Sequence, residues 1–164
     1  MKKLVVLFSI ILLNITLVSC GSPPTLKNDF SATFTAQYED NDCAGTLNKN
    51  GDHLTVTITE PYTVAGMVFD YSDVQLSIKS QGHSTNADAD YLPDNSVPGA
   101  LRNALLYLSQ ASYTGSEKGE DSYTVTTPYG EAALIASDGY LTKITEPHSG
   151  IIFHFTQASD PIEE

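Results

Sequence analysis

Four histidines, one internal cysteine and two short runs of aspartates are the side chains whose types could do chemistry here. His53, His83, His148 and His154 are the candidate bases or metal ligands. None forms a His-x-x-x-His pair and there is no Cys-x-x-Cys, so a zinc site would need scattered residues to converge. They are read as surface or strand-edge residues. Asp88-x-Asp90 with Asp94 and Asn95 is the nearest thing to a cation loop. It lacks the glycine and the closing glutamate of an EF-hand and reads as a solvated acidic loop, as does Asp40-x-Asp42. No Gly-x-Ser-x-Gly, Ser-x-x-Lys or phosphate-cradling glycine run is present. Glu60 and Glu146 could meet in the fold, but pairs of acids are common among 20 of them. The expectation is a protein that is not an enzyme and uses no cofactor and no metal.

The one residue whose context specifies a reaction is Cys20. Met1-Lys2-Lys3 is a basic start, Leu4–Leu13 an apolar run, and Leu17-Val18-Ser19-Cys20 a lipobox. The run is shorter than the ~20 residues a membrane-spanning helix needs, and its shape is that of a secretory signal peptide. Residues 1–19 are thus expected to be removed and Cys20 to carry a diacylglycerol thioether. Each buried methylene of acyl chains such as palmitate contributes about 0.8 kcal/mol, and two or more chains anchor a protein stably. The protein is placed outside the cytoplasm, lipid-anchored to the cell membrane. Residues 20–29, with Gly21-Ser22-Pro23-Pro24, are expected to form a flexible tether.

The full chain has 164 residues, 20 acids against 8 lysines and arginines, and a net charge of −12. Without Lys2 and Lys3, six bases remain and the charge from residue 20 onward is −14. Such a body repels nucleic acid and anionic head groups. With Cys20 committed to lipid, Cys43 cannot form an intrachain disulfide. It lies in Asp40-Asn41-Asp42-Cys43-Ala44-Gly45, read as an exposed polar turn. Two alternatives follow: a free thiol, or an intermolecular Cys43 bridge and hence a homodimer.

The elements that must position these residues are mostly strands. Phe30, Ala32, Phe34, Ala36 and Tyr38 alternate with polar residues, which is a half-buried strand. Gly45–Lys49 and His53–Thr59 flank Asn50-Gly51 as a hairpin, and Pro61 ends the second strand. Met67–Tyr71 and Val74–Ser80 follow, then a polar connection over 81–96. Ser96 is the candidate N-cap of a helix bearing Leu101, Ala104, Leu105 and Leu108 on one face, with Arg102 as its only charge. Ser122–Thr127, Glu131–Ala136, Tyr140–Thr145 and Ile151–Thr156 make a closing meander. Ile58-Thr59-Glu60-Pro61 recurs as Ile144-Thr145-Glu146-Pro147, two strands ending on the same breaker. The fold class expected is mainly β (α+β): one curved antiparallel half-open barrel of about nine strands over residues 30–157, with a covering helix. Residues 158–164 are read as an acidic tail.

Such a sheet presents Phe30, Phe34, Tyr38, Leu54, Val56, Ile58, Leu76, Phe153 and Phe155 on one face, with Leu101, Leu105 and Leu108 of the helix across it. These residues either line a groove for a hydrophobic ligand (lipid or acyl chain) or an apolar segment of a protein partner, or simply fill the core.

Lipobox, tether, Asn-Gly hairpin, strand ending in Glu-Pro, central apolar helix and terminal meander together resemble the LolA/LolB-like lipoprotein fold. The segments carrying the likeness are Gly45–Tyr71 and Tyr123–Phe155, above all Ala133-Leu134-Ile135-Ala136-Ser137-Asp138-Gly139-Tyr140-Leu141-Thr142-Lys143-Ile144. Nearest within it are the germination-type lipoproteins of spore-forming Firmicutes. The resemblance implies a half-open barrel closed by helices and a carrier of lipids or lipoproteins. Within the germination group it implies a non-catalytic envelope partner linked to spore-cortex peptidoglycan hydrolysis. The chain differs from carriers proper in being itself anchored and in having one clear helix, and no functional residue carries over.

Overall fold

The computed structural model describes residues 22–38, 41–72 and 74–162. Signal peptide, lipobox and Cys20 lie outside them. Eleven strands form one antiparallel sheet: β1 (Phe30–Tyr38), β2 (Asn41–Asn50), β3 (His53–Glu60), β4 (Val68–Ser72), β5 (Gln75–Ser80), β6 (His83–Asp88), β7 (Ser112–Glu117), β8 (Glu120–Thr127), β9 (Gly130–Ser137), β10 (Tyr140–Thr145) and β11 (Ile152–Ser159). Their spatial order is β6-β5-β4-β3-β2-β1-β11-β10-β9-β8-β7. The first and last strands therefore pair at the centre, and β6 and β7 are the two edges. The segment from Ala89 to Ala111 joins those edges and carries α1 (Val97–Leu106) between two 3-10 turns, Ala89–Tyr91 and Leu108–Gln110.

The strand count is eleven, not about nine. The additional strands are β6 and β7, both edges, built from His-Ser-Thr-Asn-Ala-Asp and Ser-Tyr-Thr-Gly-Ser-Glu. Each has one partner strand and buries almost nothing, so neither carries the apolar alternation that marks a half-buried strand. The β2–β3 loop is Gly51-Asp52, since Asn50 pairs with His53, and Gly51 supplies the one positive φ, 58°. The turn therefore sits one residue later than Asn50-Gly51.

Apolar side chains from alternate positions share the concave face with the buried side of α1. Phe30 packs edge-on against Phe155, and Phe34 against Phe153, with ring centroids 6.2 Å apart in each pair. Burial of each such ring contributes about 1.5–3 kcal/mol relative to exposure. Ser96 caps α1 by accepting from the Gly99 amide at 3.2 Å, and Pro98 sits in the first turn, where its missing N–H leaves no bond unmade.

Described parts of the expected tether and of the acidic tail are docked on the sheet. The Tyr123 hydroxyl donates to the Pro24 carbonyl at 2.9 Å, and the Lys27 amide to the Gly139 carbonyl at 2.8 Å. Lys27 and Tyr140 both donate to Asp160. At the other end β11 continues to Ser159, and the Ile162 amide donates to Ser31 and Asn48.

On the convex face Asp70 accepts from His53 Nε2 and, at 3.2 Å, from Lys79. Partial burial pushes its carboxyl up, but the two hydrogen bonds prevail and hold it below its ordinary value of 3.8. A carboxyl with a depressed folded-state pKa stabilises the protein above its unfolded pKa, and that stabilisation disappears as pH falls through the folded value. Urea titrations should therefore show wild type losing more stability than Asp70→Asn between about pH 5 and pH 2. Equal losses would mean that this network contributes nothing.

Candidate functional site

The candidate site is the space between the concave face and α1. Phe30, Phe34, Leu54, Val56, Ile58, Leu76, Phe153 and Phe155 of the sheet and Leu101, Leu105 and Leu108 of the helical segment are all buried there. They form one packed cluster, so in this conformation they fill the interior rather than line an open groove. Tyr38 stands apart: it is exposed at the C-terminal end of β1. Cys43 is not in a turn. It lies in β2 opposite Ala36, on the side of Gly45 and Leu47, and packs partly buried against the core. Burial pushes its thiol pKa up, which makes it less reactive.

Three polar groups share this apolar interior. Lys49 is 5% exposed; its ammonium donates to the Gly51 carbonyl at 2.9 Å and lies 3.6 Å from Asp29. Burial pushes its pKa down, against the pull of Asp29. Arg102 of α1 lies with its guanidinium carbon 5.7 Å from the Tyr71 ring centroid and donates to Asp90 at 2.8 Å. The Tyr71 hydroxyl is buried and has no hydrogen-bond partner among the described residues. Desolvation drives its pKa up to about 12.

Polar links hold α1 at its rim. Besides the Arg102–Asp90 pair, Asn103 donates to Asp94 at 3.1 Å. Both acceptors belong to the stretch read as a solvated acidic loop, so its carboxylates serve the helix. A hollow of about 390 Å³ opens beside them, bordered by Val74, Asp90, Tyr91 and Arg102. Val74 and Tyr91 are exposed apolar side chains at this opening.

The histidines remain scattered. His53 meets Asp70 on the convex face, His83 begins the β6 edge, His148 stacks on Tyr129, and His154 is exposed in β11. Among the described residues no three His, Cys, Asp or Glu side chains lie close enough to hold a metal ion. The two Glu-Pro strand ends also differ: Glu60 is exposed, whereas Glu146 is buried and accepts from the Ser149 amide at 2.6 Å.

A continuous half-barrel with one covering segment has counterparts among solved structures. A LolA superfamily protein of Nitrosomonas europaea superposes with a TM-score of 0.52 at 12% identity, over 86% of this chain and 90% of that one. An uncharacterized conserved protein of Thermus thermophilus gives 0.52 at 8% identity, over 86% and 82%. The fold is LolA-like. A chain of the Clostridioides difficile complex between the CwlD amidase and the GerS lipoprotein matches at 12% identity over 96% and 92%; its TM-score of 0.42 is too loose to bear on function. No family model and no curated protein matches the sequence.

Within the LolA-like half-barrel, sequence reading located the apolar face and the helix that covers it. It did not single out Lys49, Tyr71 or Arg102 as a group. Their common signal is visible only in retrospect: Lys49 and Tyr71 fall on the apolar phase of their strands, and Arg102 is the lone charge of an apolar helix.

Proposed function

We propose that this chain is a membrane-anchored, non-catalytic lipoprotein that takes an apolar chain into the space beneath α1. The observation that carries the reading is the construction of the cover. One ten-residue helix closes the apolar face of an eleven-stranded half-barrel, and a hydroxyl on that face lacks any partner among the described residues. A helix so short is marginal by itself and is held by its packing. An alkyl chain can replace that packing, since each buried methylene contributes about 0.8 kcal/mol. Opening breaks two rim contacts, and the exposed ion pair among them contributes at most about 1 kcal/mol. The hollow beside Val74 and Tyr91 is the entry.

Anchoring through Cys20 completes the reading. Because the chain is docked from Pro24 onward, three residues separate Cys20 from the body, a reach of about 14 Å over four Cα–Cα steps. The half-barrel is therefore held close to the bilayer surface at the end where Pro24 docks. Cys20→Ser should move the protein from the membrane to the soluble fraction and abolish palmitate incorporation. Unchanged fractionation would remove the anchor from this reading. Ligand uptake is tested by mass spectrometry of the unlipidated protein after exposure to membrane lipid extract. A spectrum without adducts would count against it.

A second reading, docking of an envelope enzyme such as a spore-cortex hydrolase, draws on the two sheet edges. β6 and β7 each present one side of unpaired backbone groups that a partner strand can complete. A photocrosslinker at Ser84 or Thr114 that captures such a hydrolase in native membranes would favour it. A Cys43 bridge fits this reading poorly, since the thiol packs against the core.

A further inference from the structure

Eight lysines and arginines occur in the whole chain, two of them in the leader, and two of the remaining six border one small cavity. It measures about 50 Å³ and lies between α1 and the β2–β3 hairpin, with Lys49, Leu54, Arg102 and Leu105 in its wall. Strand register sets Lys49, Leu54, Tyr71 and Leu76 side by side in one row across the concave face. Adjacent strands are about 4.8 Å apart, so Lys49 and Tyr71 start about 10 Å from each other, and Arg102 lies over the Tyr71 ring. A buried ammonium, a guanidinium and an unpartnered hydroxyl, all donors, thus share one end of an apolar interior.

We infer that this end of the interior binds a carboxylate head group, so that the ligand beneath α1 is a single-chain, fatty-acid-like amphiphile held by Lys49, Arg102 and Tyr71. The inference rests on the reading that an apolar chain enters there. Four observations select the head group. Arg102 already holds a carboxylate, that of Asp90, whose side chain is 87% exposed and can return to water when another carboxylate takes its place. The Lys49 ammonium has lost most of its hydration and has an acidic neighbour only at 3.6 Å, so a further anion stabilises it. The cavity has room for a group the size of a few waters, which suits a carboxylate and excludes a bulky phosphodiester. The Asp52 carboxylate in its wall and Asp29 beside Lys49 also repel a doubly charged head more strongly than a singly charged one.

The test uses the full chain carrying Cys20→Ser, prepared without detergent, and calorimetric titration at pH 8 with dodecanoate, dodecan-1-ol and dodecyl phosphate. Dodecanoate should bind at least tenfold more tightly than the alcohol, and dodecyl phosphate more weakly than dodecanoate. Arg102→Gln should erase the advantage of the acid over the alcohol, and any loosening of α1 from the lost Asp90 contact acts on both ligands alike. Tyr71→Phe should weaken dodecanoate several-fold relative to the alcohol, while raising the melting temperature, because it removes a buried hydroxyl that has no partner among the described residues. Tyr71→Phe loses a single oxygen and decides the matter if Arg102→Gln misfolds. Equal affinity for acid and alcohol would overturn the carboxylate site and leave the apolar-chain reading standing. Tightest binding of dodecyl phosphate would overturn the choice of head group. Binding of none of the three would overturn the reading itself and this inference with it.

Discussion

Leu105→Ala should lower the stability of the domain by about 2–5 kcal/mol and at the same time tighten the binding of an alkyl ligand. The first effect follows from removing a fully buried side chain whose surroundings relax only in part. The second follows only if α1 is a displaceable cover. Apparent affinity is then the intrinsic affinity multiplied by the fraction of molecules with the helix displaced. Weakening the closed state by about 1.4 kcal/mol raises that fraction about tenfold. Urea unfolding and dodecan-1-ol titration of the same variant separate the two effects. A fall in stability with unchanged or weaker binding would show that α1 is a fixed part of the core and that no chain enters beneath it.

Gly45→Ala should destabilise the domain by about 3 kcal/mol, at the upper end of what overpacking a core costs. Gly45 lies in β2, opposite Phe34 of β1 on one side and Ile58 of β3 on the other. A Cβ at this position would come within 2.3 Å of the Thr57 carbonyl oxygen and 2.7 Å of the Phe34 ring. The first neighbour is backbone, and Phe34 is fully buried and stacked edge-on against Phe153. Neither yields without moving the centre of the sheet. Such a loss removes a large part of the 5–15 kcal/mol typical of a whole domain. Thermal or urea unfolding of the variant measures it. A change under about 0.5 kcal/mol, the range of inert surface substitutions, would mean that β2 shifts freely and the half-barrel is far less tightly built.

The alternation in β1, β3, β5 and β11 was readable because each strand buries one face and exposes the other. The helix was readable from its change of period and its Ser96 cap. β6 and β7 were not, because an edge strand that buries neither face has no reason to alternate. Cys43 was misplaced for a related reason: the polar residues before it suggest a turn, yet the ladder with β1 begins at Asn41 and carries the thiol to the core side.

Taken alone, the sequence determined which residues are apolar on alternate positions, where the helix begins and that Leu17-Val18-Ser19-Cys20 has the form of a lipobox. These are local properties, set by side-chain type and by the two- and 3.6-residue periods of the backbone. The tertiary structure decided that the apolar face is filled and that β1 closes on β11. It also decided that Lys49 of β2, Tyr71 of β4 and Arg102 of α1 share one end of the interior. Those residues stand far apart along the chain. Their meeting depends on how strands pair and on how the sheet curves around the helix, which no local pattern encodes.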